Sequence, residues 1–126
     1  MSHDGLHADI TERIVGCAIE VHRHLGAGLL QSVYEASLGV ELALKKLPFE
    51  RQVRLPLHYK GQRISEHRVD LIVDNAVVVE VKAVQRLEPI HIAQVLTYLR
   101  VSGIRVGLIL NFNSVVLRHG IRRVVL

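Results

Sequence analysis

The chain has 126 residues, 49% apolar and 22% charged, a balance that fits one globular domain and excludes disordered, collagen-like and coiled-coil classes. The net charge is +4, yet all twelve acids lie at or before Glu88, and the five charged residues after it are Arg100, Arg105, Arg118, Arg122 and Arg123. That basic C-terminal third fits an anionic partner such as nucleic acid, and fits equally an outer sheet face solvated by arginines. Residues 1–8 read as a loose tail. Asp9 offers an N-cap, with Glu12 three residues on at capping-box spacing. Ile10, Ile14, Cys17, Val21 and Leu25 follow at helical intervals, so a first helix runs to Gly26. A second is expected over 30–46, with Leu30, Val33, Leu38 and Leu42 inward, ended by Pro48. The period then changes. Val53, Leu55, Leu57 and Tyr59 alternate with polar residues as a strand, and Pro56 puts it at an edge or a bulge. Lys60-Gly61 turns the chain toward a strand over 69–73, Asp74-Asn75 turns it again, and 76–84 is an apolar, β-branched central strand. Glu88 caps and Pro89 opens a third helix, which Gly103 stops after Val101. A buried strand over 104–110, a turn over 111–114 and one or two short strands over 115–126 follow. The order is α-α-β-β-β-α-β plus a β tail, an α/β class in one domain over 1–126.

Two charges sit where the pattern asks for burial. Glu80 and Lys82 interrupt the apolar run 76–84, and period two puts them on one face. Unpaired buried charge costs several kcal/mol. The two form a structural ion pair, or they line a cleft where a metal and an anionic substrate compensate them. Asp70 interrupts the preceding strand, 69–73. A three-residue or bulged loop would stand Asp70 opposite Glu80; a strict two-residue turn would set it opposite Val79 and send Glu80 to the other face. Two carboxylates that close repel unless a cation lies between them, and oxygen ligands suit Mg²⁺ or Mn²⁺. A neighbouring lysine stabilises charge on a phosphoryl oxygen.

Asp70, Glu80 and Lys82 over a hairpin resemble the core of the PD-(D/E)XK nuclease superfamily, and the element order matches its α-β-β-β-α-β core. Gln94 and Tyr98, four apart on one helix face, are similar to a Gln-x-x-x-Tyr pattern that in related nucleases borders the active site. A closer resemblance rests on Ala18-Ile19-Glu20-Val21-His22, on 25–35 (LGAGLLQSVYE), on Val69-Asp70-Leu71, on Glu80-Val81-Lys82-Ala83 and on Ala93-Gln94-Val95-Leu96. These stretches look like the GxxExxY protein family, whose naming motif falls on Gly28, Gln31 and Tyr34. The glutamate of the motif is Gln31 here, which keeps a carbonyl oxygen and loses the charge; Glu35 or Glu20 would be the substitute.

The resemblance implies a restriction-endonuclease-like fold, a central mixed sheet flanked by helices. It implies a divalent-metal nuclease with Asp70, Glu80 and the Val81 carbonyl on the cation. Lys82, Gln94 and Tyr98 would then join them in catalysis. The arginines Arg118, Arg122 and Arg123 would contact phosphates. The alternatives are an inactive nucleic-acid-binding module and an interaction protein in which the charges are structural; a homodimer would help a chain this small grip a duplex. Of the histidines, His91 shares a face with Gln94 and Tyr98, and His67 would reach the cleft mouth; no pair has zinc spacing. Gly26-Ala27-Gly28 lacks the context of a phosphate loop, so no nucleotide cofactor is expected. Cys17, alone, excludes an internal disulfide and points to a reducing, cytoplasmic setting. No apolar run reaches membrane-span length, and residues 1–4 lack signal-peptide character, so no membrane partner is expected.

Overall fold

Over residues 5–126, which the computed structural model describes, the hydrophobic periods give three α-helices and five strands. They are α1 Ala8–Leu25, α2 Gln31–Leu44, β1 Phe49–Tyr59, β2 Gln62–Val73, β3 Val77–Lys82, α3 Pro89–Ser102, β4 Val106–Asn111 and β5 Ile121–Val125, with a 3-10 turn at Leu117–Gly120. The sheet order is β1-β2-β3-β4-β5. Only β3–β4 is parallel, and α3 is the crossover that a parallel pair requires. This is the expected α/β class with a mixed sheet. No described helix is long and apolar enough to cross a membrane.

Period two sorts the strand residues between two cores. Leu71, Val73, Val77, Val79, Val81, Leu108 and Leu110 pack under α1 and α2, against Ile14, Val21, Tyr34, Leu38 and Leu42. Ile72, Val78, Ile109 and Val124 pack under α3, against Val95, Tyr98 and Leu99. Each fully buried Val or Leu contributes about 1.5–3 kcal/mol of transfer free energy. α3 seats directly on β4: a Cβ at Gly107 would lie 2.6 Å from Val95 Cγ1. Edge strand β1 carries Pro56, where a missing N–H is tolerated, and its register shifts between Leu57 and His58.

Several local expectations are corrected. His7, in the left-handed region, is the N-cap of α1, and Asp9 stands inside the first turn with no capping hydrogen bond. Residues 1–4 lie outside the described residues, but 5–7 are docked: Leu6 packs on the core and its carbonyl accepts a hydrogen bond from Arg123 Nη2. On α2 the core takes Tyr34, Leu38 and Leu42, one turn apart, while Leu30 (74% exposed) and Val33 (39%) face outward. That helix is apolar on two stripes, and the stripe bearing Tyr34 is the one that packs. β2 begins at Gln62, not near Val69, because residues 62–68, exposed except for half-buried His67, complete a long ribbon with β1. The C-terminal tail holds one strand, preceded by the 3-10 turn.

Candidate active site

The β2–β3 connection fixes where the acids go. Asp74 and Asn75 both adopt left-handed φ, 53° and 50°, which Asp and Asn tolerate better than most residues. Ala76 N–H then bonds the Val73 carbonyl at 3.0 Å. The loop therefore has three residues, and the ladder runs Val73↔Val77, Ile72↔Val78, Leu71↔Val79. The paired ladder stops there, and just beyond it Asp70 and Glu80 stand close enough to hydrogen-bond through their side chains. Asp70 is 9% exposed and Glu80 4%. Here the side chain of Asp70 replaces the backbone acceptor: its Oδ2 accepts from Val81 N–H at 2.9 Å.

The electrostatics follow from burial. Glu80 is pushed up to about 9, first by desolvation, then by its hydrogen bond to Asp70 and by that residue's negative charge; the Lys82 ammonium pulls the other way. At neutral pH and without a cation Glu80 thus keeps its proton. Tyr98, on α3, is held above the usual phenol range by burial and by the charges of Glu80 and Asp70. Its hydroxyl stays protonated and available as a donor. His67 lies against the Tyr98 ring, with centroids 5.7 Å apart. Gln94 is exposed one turn before Tyr98, and Lys82 is half-buried at the end of β3.

A model of the PD-(D/E)XK nuclease superfamily matches residues 8–124. The chain belongs to that superfamily. No curated protein and no solved structure gives a significant match. The PD-(D/E)XK hairpin of this chain pairs two buried carboxylates that only a shared proton or a cation can reconcile. Two buried carboxylates are hard oxygen donors of the kind a dication such as Mg²⁺ takes. Among the described residues no group of three or more His, Cys, Asp or Glu gathers for a metal, so a zinc-type cage is absent there.

The other residues singled out by sequence disperse. Glu20 binds Arg23 at 2.7 Å and His24 at 2.9 Å, and lines the outer groove between α1 and α2. Glu35 is buried in a pair with Arg51 at 2.8 Å and accepts from Gln52 Nε2 at 2.9 Å, on the α2 side of the sheet, opposite to Tyr98. Gln31 is the exposed first residue of α2. The remaining motif positions are structural: Gly28 takes a φ of 98°, and Tyr34 Oη donates to the Gly26 carbonyl at 2.6 Å while accepting from Leu29 N–H at 3.1 Å. The Tyr34 ring stacks on Phe112 at 4.7 Å. His91 Nδ1 accepts from Glu88 N–H at 2.9 Å and so completes the α3 cap; His67 is the histidine that meets Tyr98. Arg118, Arg122 and Arg123 do not form one patch. Arg122 and Arg123 are neighbours on β5 and face opposite sides of the sheet, and Arg123 is spent on Leu6.

Sequence reasoning missed Asn111. It is 2% exposed, and its side-chain amide donates to the Val84 carbonyl at 3.0 Å and accepts from Val84 N–H at 3.1 Å. With the Phe112 N–H bond to the Lys82 carbonyl at 2.9 Å, it ties the end of β4 to the residues flanking Lys82. An asparagine ending an apolar strand was a readable signal, but it looked like the start of an ordinary turn.

Proposed function

We propose that this chain is a Mg²⁺- or Mn²⁺-dependent nuclease that hydrolyses phosphodiester bonds in nucleic acid. The observation that carries the reading is the buried Asp70–Glu80 pair with Lys82 on the same strand face. Asp70, Glu80 and the Val81 carbonyl would hold the cation. When bound, the cation acts as a Lewis acid on the phosphodiester and makes water a stronger nucleophile at neutral pH. The bond from Val81 N–H to Asp70 Oδ2 holds that carboxylate in place beside Glu80. Lys82 places a positive charge beside the phosphoryl oxygen as negative charge develops there. The Tyr98 hydroxyl and the Gln94 amide orient the attacking water or the substrate strand.

Substituting Lys82 by Ala abolishes Mg²⁺-dependent cleavage of labelled DNA and RNA and leaves the thermal transition in place. Unchanged cleavage by that variant overturns the assignment. A second reading, a binding module without cleavage, is favoured by one observation: the motif glutamate is Gln31, exposed and uncharged. Calorimetric titration with Mg²⁺ separates the two, since a module without the site takes up no heat that Glu80→Gln removes.

A further inference from the structure

The parallel pair β3–β4 ends both strands at the same rim of the sheet, where ligands of α/β folds collect. A cleft of about 300 Å³ opens there, bounded by Arg86, Asn111, Ser114, His119, Gly120 and Arg122 among others. Its wall is built to close tolerance. A Cβ on Gly120 would come within 2.5 Å of the Asn111 carbonyl oxygen.

Arg122 connects this cleft to the acid pair. Glu80 is aligned with Ile109 on β4, and Ile109 with Arg122 on β5, so the three form one row across the sheet. Ile109 and Val124 both pack under α3, which fixes the face of the row as the one bearing Tyr98. Two strand spacings set Arg122 roughly 10 Å from Glu80. Arg86 reaches the same cleft from the loop that follows Lys82; its pair with Glu88, at 3.2 Å, has Arg86 84% and Glu88 51% exposed, and such a pair yields easily to a stronger anion. No carboxylate lines the cleft among the residues that bound it.

We infer that this cleft is a phosphate subsite, in which the guanidinium groups of Arg86 and Arg122 hold a backbone phosphate of the nucleic-acid strand a short way from the bond cleaved at Asp70 and Glu80. The inference rests on the nuclease reading for the identity of the strand. It assigns different work to the three C-terminal arginines: Arg122 binds substrate, Arg123 anchors the N-terminal turn, and Arg118 lies outside the cleft, in a groove with Ile19 and Val115.

The test uses a fluorescein-labelled single-stranded 12-mer in EDTA, so that binding is read without turnover. Arg86→Ala/Arg122→Ala is compared with Arg54→Ala/Arg63→Ala, which removes equal charge from the β1–β2 ribbon. The cleft variant binds about tenfold more weakly, and its log–log salt dependence is shallower by roughly 1.4, the value for two lost contacts to a single strand. The ribbon variant stays within twofold of wild type. Equal losses in both variants, an unaltered cleft variant, or a wild type that does not bind each overturn the subsite. Cleavage of the same strand with Mg²⁺ is scored separately. Intact cleft binding without cleavage overturns the nuclease reading alone, and cleavage that the cleft variant leaves unaltered overturns the subsite alone.

Discussion

Asn111 holds Val84 by both of that residue's backbone groups, at 3.0 and 3.1 Å, as a strand partner would. The clasp stands directly after Lys82 and fixes where β3 stops. Replacing Asn111 by Ala leaves Val84 N–H without its acceptor and the Val84 carbonyl with only the longer bond from Asn113 Nδ2 at 3.4 Å, a loss of about 1–3 kcal/mol. We expect a lower melting temperature, faster amide exchange at Val84 and reduced kcat with little effect on KM. Unaltered exchange at Val84 would contradict the assigned role.

The acid pair makes metal-free stability depend on pH in an unusual direction. Glu80 has its folded pKa raised from 4.5 to about 9. Its favourable contribution is therefore complete below pH 4.5 and is lost as pH rises through about 9. In EDTA the protein should melt progressively lower across that window. Glu80→Gln keeps a donor for Asp70 and has no proton to lose, so it should melt higher than wild type at pH 8. Adding Mg²⁺ at pH 8 should raise the wild type and leave Glu80→Gln where it was. A melting temperature independent of pH from 5 to 9 would refute the burial argument.

Gly120 tests the wall of the basic cleft. An alanine methyl there would press on the Asn111 carbonyl, which is backbone and cannot move aside, and still more closely on Ser114 Oγ. Overpacking of this kind costs about 1–3 kcal/mol. Gly120→Ala should lower the urea midpoint, with the slope of the transition preserved.

Tyr34 separates motif from chemistry. Tyr34→Phe keeps the stack on Phe112 and deletes both hydrogen bonds to the 26–30 loop. A stability loss of about 1–2 kcal/mol with cleavage retained is the expected outcome. Loss of cleavage in a stably folded Tyr34→Phe would show that the residue takes part in the reaction.

The hairpin was legible because charge inside an apolar strand is expensive, and because side-chain alternation ties the facing of Asp70 and Glu80 to a countable loop. Tyr98 was legible as one face of a helix with Gln94. Other parts were written in ambiguous terms. Residues 62–66 and 68 are exposed and only His67 turns inward, so no alternation marks this stretch as strand. Leu30 and Val33 lie on a helix that is apolar on two sides, and only tertiary packing chose between them. Glu35 looked like a spare metal ligand until Arg51 and Gln52, distant in sequence, closed on it. Arg122 and Arg123 read as one basic run, whereas a strand sends adjacent residues apart.

The turn at residues 74–76 carries a consequence for how this chain can vary. Surface loops usually absorb insertions and deletions freely. Here, removal of a single residue would shift the pairing frame, and the aspartate and glutamate would be separated by the full thickness of the sheet. A three-residue bend thereby sets a parity condition on where the two acids face, and a length change there would part them while leaving both in the sequence.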